Sequence, residues 1–335
     1  MIKNKFPFLC AIALCVVVLT SCNDKRVKQA QDIVINEIMA SNRTGLSVGS
    51  GKPADWIELK NNGKDSINLE GFQLCIIKEV PDSVIESGEE PEDMEKSWEF
   101  PNVSIGPGEC MVIFAKKVKE GKQPKALTAN FKLPKDGGTL QFLAPNGSVI
   151  KELEYDKLSA DQSLARQEDG TYQKTYWQSP GFDNNREGYE KAMAQIDSKR
   201  TSPLLIWELM SRAPTSSENW VKLKNVSDQE LDLAGYSLAK KMDKEDTGWA
   251  LPSRKLQPGE ILTIQLTGNQ GNNPTQTNFK LGKAETIILM KDGKFVDGMC
   301  AKNTPIGASI GRADDKKGFF FYSTPTKDEQ NGSGI

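Results

Sequence analysis

The seven residues Asp55-Trp56-Ile57-Glu58-Leu59-Lys60-Asn61 return near the middle of the chain as Asn219-Trp220-Val221-Lys222-Leu223-Lys224-Asn225. No other feature constrains the fold as much. In each stretch an apolar pair, Ile57 and Leu59 or Val221 and Leu223, alternates with Trp and polar residues. A period of two describes a strand with one face in a core.

The flanks repeat as well. Leu69-Glu70-Gly71-Phe72-Gln73-Leu74 is answered by Leu233-Ala234-Gly235-Tyr236-Ser237-Leu238, and Trp98-Glu99-Phe100-Pro101 by Trp249-Ala250-Leu251-Pro252. Asn130-Phe131-Lys132-Leu133 recurs unchanged as Asn278-Phe279-Lys280-Leu281. The offset shrinks from 171 residues at Glu37 and Glu208 to 146 at Ser163 and Ser309, so the first copy carries extra loop. Part of that extra is an acidic insertion over residues 79–95. Each copy reads as seven to nine short strands broken by Gly, Pro and Asn turn signals, the pattern of an all-β sandwich. Between the copies, Tyr189, Ala192, Met193 and Ile196 fall at helical spacing among charges, which predicts a short linker helix. The expected boundaries are a first sandwich over 32–185, the linker over 186–202 and a second sandwich over 203–335.

The N-terminus has a different chemistry. Lys3 and Lys5 precede an apolar run over residues 6–19, too short for a span of roughly 20 residues. The run ends in Leu19-Thr20-Ser21-Cys22, which resembles a bacterial lipoprotein signal. The resemblance implies removal of residues 1–21, acylation of Cys22, a tether over 22–31 and a lipid anchor, with Asn23 favouring the outer membrane. Whether the protein would face the periplasm or the cell surface stays open.

Asn-Glu-Ile, Trp-Ile-Glu-Leu-Lys-Asn, Leu-x-Gly-Phe-x-Leu, Trp-x-Phe-Pro, Pro-Gly-Glu and a closing Ser-Pro-Gly follow one another in the first copy. As an ordered set they resemble the lamin tail domain. The resemblance covers nearly all of 32–185 and, more loosely, 203–330. It implies two tandem immunoglobulin-like β-sandwiches that act as non-enzymatic binding or tethering modules. The second copy departs at Asn219 and Lys222, which replace Asp55 and Glu58. It departs again at Thr324-Pro325-Thr326, which lacks the glycine of Ser179-Pro180-Gly181. Signal, tether, modules and linker account for the chain, so no separate catalytic domain is expected.

The composition excludes several chemistries. With no histidine among 335 residues, there is no Ser-His-Asp or Cys-His arrangement and no His-ligated metal. Nothing in the sequence calls for a cofactor. The net charge of −2 becomes −4 once Lys3 and Lys5 leave with the signal, which disfavours nucleic acid as a partner. Cys75, Cys110 and Cys300 remain beyond the lipid site; a Cys75–Cys110 disulfide and buried thiols are both open, with thiols favoured because the second copy has Ala239 and Ile261 there.

Several residues qualify as site candidates. Glu37 and Glu208 sit at matching places in otherwise apolar strands, either as halves of a site or as charges paired within the sheet. Asn36, Asp55 and Glu58 offer oxygens to a cation, though at no known loop spacing. Phe319-Phe320-Phe321-Tyr322 is either an exposed aromatic patch or the last buried strand. Trp56, Trp98, Trp220 and Trp249 suit packing better than sugar stacking, because they repeat at equivalent strand positions. The acidic insertion reads as a solvated loop. Beside the membrane, the expected partner is a protein or glycan of the cell envelope. One competing reading is an accessory lipoprotein that binds glycan or murein, for which an exposed Trp or Tyr row flanked by Asp or Asn would speak; the other is a hydrolase working with carboxylates and a metal, which needs three or more acids in one cleft.

Overall fold

A computed structural model describes residues 25–48, 51–78, 95–215, 218–242, 248–282, 285–302 and 304–332. The signal segment with Cys22, and the acidic insertion up to residue 94, lie outside the described residues. The first copy comprises β1 (Ile33–Met39), β2 (Trp56–Asn61), β3 (Ile67–Asn68), β4 (Gln73–Lys78), β5 (Glu95–Glu99) and β6 (Ser104–Ile105). It continues through β7 (Cys110–Ala115), β8 (Thr128–Ala129), β9 (Gly137–Leu143), β10 (Val149–Asp156), β11 (Ser163–Arg166) and β12 (Tyr172–Thr175). After α1 (Arg186–Ser198) come β13 (Leu204–Met210), β14 (Trp220–Asn225), β15 (Leu231–Asp232), β16 (Tyr236–Ala239), β17 (Trp249–Ala250) and β18 (Lys255–Leu256). The second copy ends with β19 (Ile261–Gln265), β20 (Thr286–Lys291), β21 (Lys294–Cys300), β22 (Ser309–Gly311) and β23 (Phe320–Tyr322).

Strand order repeats as faithfully as sequence order. The larger sheet runs β12-β11-β1-β2-β7-β8 in one copy and β23-β22-β13-β14-β19 in the other. The smaller runs β10-β9-β4-β5 and β21-β20-β16-β17, and the short pairs β3-β6 and β15-β18 also match. The chain is all-β: two tandem immunoglobulin-like sandwiches joined by a short helix.

The repeated polar residues have local structural work. Asn61 Nδ2 donates to the carbonyls of Asp65 and Ile105, and Asn225 Nδ2 to those of Gln229 and Leu256. In the Pro-Gly-Glu turns, Glu109 and Glu260 accept the backbone N–H of Gly106 and Gln257, each at 2.7 Å. Gly108 and Gly259 take φ of 71° and 74°, the left-handed region that a Cβ disfavours.

By contacts the chain forms two compact units that do not follow the repeat. One holds the described part of Met1–Asn36, Glu58–Met111 and Gly137–Asp156. Its core includes Phe72 stacked on Phe142 at 5.5 Å, with Phe100 edge-on to Phe142 at 6.2 Å. Cys75 is buried there; its thiol donates to Glu95 at 3.3 Å, and burial pushes its pKa to about 12. Cys75, Cys110 and Cys300 all carry thiols, so the disulfide alternative is not what the structure contains.

The other unit holds Glu37–Ile57, Val112–Asp136 and everything from Lys157. Asn185 caps α1 through the Gly188 N–H, and the apolar face of the helix (Tyr189, Ala192, Met193, Ile196) enters the core of this unit. That core also takes in Trp56, Leu204, Val221, Leu238 and Ile287, each burial contributing about 1.5–3 kcal/mol. Trp56, Trp220 and Trp249 are buried, and half-buried Trp98 packs edge-on against Phe100 at 4.7 Å. All four tryptophans pack as the repeat suggests.

Candidate functional site

Glu37 and Glu208 are fully buried. Glu37 Oε2 accepts the backbone N–H of Ser179 at 3.0 Å and its hydroxyl at 3.2 Å. Ser179 Oγ also lies 3.0 Å from Asn184 Oδ1, and Asn184 Nδ2 donates to the carbonyl of Arg166. The second copy builds the same clasp. Glu208 accepts the N–H and hydroxyl of Thr326, Thr326 Oγ1 lies 2.9 Å from Asn331 Oδ1, and Asn331 Nδ2 donates to the carbonyl of Arg312. Thr326 is therefore the counterpart of Ser179, two residues beyond the Thr324 that the Pro suggests. The missed signal is the shared spacing of five, Ser179 to Asn184 and Thr326 to Asn331. Glu208 further pairs with Lys222 Nζ at 2.6 Å and accepts from Ser309 Oγ. Lys222 Nζ also reaches the carbonyl of Glu329, and burial lowers its pKa. A strand irregularity between Ile206 and Glu208 lets every residue of β13 be buried. These acids close the sandwiches. They face no cleft.

The aromatic run is strand β23, paired with β22 through Ser309–Tyr322, Ile310–Phe321 and Gly311–Phe320. The matching strand of the first copy, β12, pairs Ser163 with Thr175, so Tyr322 answers Thr175. Phe319 and Tyr322 are buried, Phe320 and Phe321 half-buried, and Phe321 packs edge-on against Trp177 at 5.6 Å. Tyr322 Oη donates to the Arg312 carbonyl at 2.9 Å. The run forms an edge strand in which Phe319 and Tyr322 are covered and Phe320 and Phe321 partly so.

The cation candidates also have hydrogen-bonding duties. Asn36 Nδ2 donates to Glu58 Oε1 at 2.7 Å. Asp55 Oδ1 accepts the backbone N–H of Asn42 at 2.9 Å, just as Asn219 Oδ1 accepts that of Ala213 at 3.1 Å. The Asp-to-Asn change between copies thus keeps one backbone hydrogen bond. Desolvation raises the Asp55 pKa to about 6, against the opposing pull of that bond, Lys132 and Lys52. Among the described residues no group of three Asp, Glu or Cys side chains gathers as a metal site needs.

A second buried network secures the helix. Arg312 forks onto Asp297 at 2.8 and 3.0 Å, and its Nε donates to Asp197 of α1 at 2.7 Å. Asp297 Oδ2 also accepts the Ile206 N–H, and Asp197 Oδ2 accepts that of Gly318. Arg200 donates to the carbonyls of Thr44 and Gly45.

That last contact helps fix the stretch 40–48, which together with 51–55 contributes to a cleft of about 550 Å³ within the second unit. Asn42 Nδ2 donates to the carbonyls of Leu46 and Ala54. Asp161, held at φ 57°, accepts the N–H groups of Arg43 and Thr44 and the Thr286 hydroxyl. The cleft is lined by Arg43, Lys52, Lys116, Lys132 and Lys241, with Asp55 as its one carboxylate. A second cleft of about 300 Å³ shares Ser41 and Arg43 and adds Lys135, Lys157, Lys240 and Lys302. The sequence gives little sign of this. The cations are spread over 260 residues, and each is ordinary alone.

The family model of the Lamin Tail Domain matches residues 26–157 and again 197–302. The chain belongs to the lamin tail domain family. A search of curated proteins finds no match. Similar solved structures include the Amycolatopsis orientalis exo-chitosanase CsxA, 11% identical, with 73% of this chain and 25% of that one covered at a TM-score of 0.18. The exo-beta-D-glucosaminidase CsxA inhibited by a glucosamine-configured castanospermine gives the same identity and coverages at 0.17. This chain spans about a quarter of those proteins, and overlap that slight carries no argument about either fold or activity. The lamin tail domain modules are immunoglobulin-like and of a non-catalytic family, which fits a binding role.

Proposed function

We propose that this is a non-enzymatic, lipid-anchored binding or tethering protein of the bacterial cell envelope, with two lamin tail domains that engage a protein or glycan. One observation carries the reading. The carboxylates best placed for chemistry, Glu37 and Glu208, are buried in the clasps that close the sandwiches, while an open cleft of about 550 Å³ in the same unit is lined by other residues. Binding sites characteristically occupy loops held by a scaffold, and the cleft is lined by residues 40–43, 48 and 51–55 between two strands. The anchor rests on the signal segment ending in Leu19-Thr20-Ser21-Cys22, with the outer membrane favoured by Asn23. An acylated Cys22 would attach the modules by burying methylenes at about 0.8 kcal/mol each.

Metabolic labelling with palmitate, followed by flotation of membranes, tests the anchor. Wild-type protein should take up label and float with the outer membrane, while Cys22→Ser should do neither. Unlabelled wild-type protein would overturn the lipoprotein reading.

A further inference from the structure

We infer that the two clefts sharing Arg43 form a binding site for an acidic polysaccharide bearing carboxylate or sulfate groups along an extended chain. The inference deepens the binding reading above and rests on it. Among the described residues, nine cationic side chains and two carboxylates, Asp55 and Glu285, line the two clefts. Glu285 pairs with Lys240 at 3.2 Å, and Asp136, outside the lining, lies 3.4 Å from Lys157 and 3.9 Å from Lys135, which leaves the excess of positive charge mainly with Arg43, Lys52, Lys116, Lys132 and Lys302. In a chain with a net charge of −2, the described lining thus gathers local positive charge. Concave walls focus such a field and draw in anions.

The tract suits a polymer better than a single small anion. Its two parts, about 550 and 300 Å³, share Ser41 and Arg43 in their linings, more room than a single small anion fills. Several cations are held in place by the backbone: Arg43 donates to the Lys240 carbonyl, Lys52 to that of Met242 and Lys302 to that of Ala160. Apolar surface from Val48, Pro53, Ala54, Met242 and Ile288 lies among the charges, as the C–H faces of sugar rings require. Among the described residues neither cleft is lined by Phe, Trp or Tyr, the side chains on which single-strand binders stack successive bases. That favours a saccharide over a single-stranded nucleic acid.

The test uses the full-length protein in neutral detergent, titrated with polygalacturonate, heparin, neutral dextran and an oligo-dT. At least one acidic polysaccharide should bind, more weakly as salt rises, and dextran should not. Lys116→Glu/Lys132→Glu should weaken that binding at least tenfold without moving the melting temperature. The neutral pair Lys116→Gln/Lys132→Gln gives a second reading should charge reversal unsettle the fold. Lys64→Glu/Lys294→Glu, on exposed positions elsewhere, should bind as wild type does. Undiminished affinity in both cleft variants would overturn the site. Oligo-dT bound more tightly than either acidic polysaccharide would replace the ligand class with nucleic acid. If no anionic polymer binds but the protein is still retained on isolated envelopes, this inference fails and the binding reading stands. Loss of both would end the two together.

Discussion

At the scale of single residues, Asp55 illustrates how a candidate ligand becomes scaffold. Its carboxyl accepts one backbone N–H, and the second copy meets the same need with Asn219. The neutral amide avoids the cost of burying a charge. Because burial raises the folded-state pKa from 3.8 to about 6, the proton is held more tightly in the folded chain. The associated stability is fully present below pH 3.8 and is lost as pH rises through about 6. Asp55→Asn should therefore melt like wild type near pH 3.5 and be more stable above pH 7, by roughly 1–2 kcal/mol after allowance for partial exposure. Thermal melts of both proteins across that range check the sign. A constant difference would mean that Asp55 ionises normally.

At the scale of elements, α1 is held by its charged C-terminal turn as well as by its apolar face. Asp197 satisfies Arg312 Nε and the Gly318 N–H inside the protein. Asp197→Ala should leave buried Arg312 partly unpaired, at a cost of about 3 kcal/mol. Hydrogen exchange should accelerate over Arg186–Ser198 first; exchange unchanged in the helix would show that the network contributes little. The sequence made the helix legible through Tyr189, Ala192, Met193 and Ile196, because a packed helical face imposes its own spacing. It made the strands legible for the same reason, with period two in place of 3.6. It hid the Asp197–Arg312–Asp297 network, since partners 115 and 15 residues apart leave no periodic trace. It also left Phe319 to Tyr322 open between patch and strand, because only pairing with β22 decides which rings are covered.

At the scale of the molecule, the repeated residues outside the cleft turn out to be scaffold, and among the cleft cations Lys132, answered by Lys280, belongs to a stretch that repeats unchanged. Asn61, Asn225, Glu109 and Glu260 recur because each turn needs the same hydrogen bonds. The cleft was illegible for the opposite reason: global charge averages away a local cluster, and only the fold gathers Arg43, Lys132 and Lys241. The central claim is that the buried acids hold the sandwiches closed and take no part in recognition. Glu208 with Lys222 tests it most directly, through melting and retention on isolated envelopes of Glu208→Gln, Lys222→Met and the double variant. Each single change strands a buried polar partner and should cost about 3–5 kcal/mol. The double change should cost less than their sum, and every variant should be retained as wild type is at temperatures where it is folded. Unchanged melting together with lost retention would contradict the account and place Glu208 in the binding site.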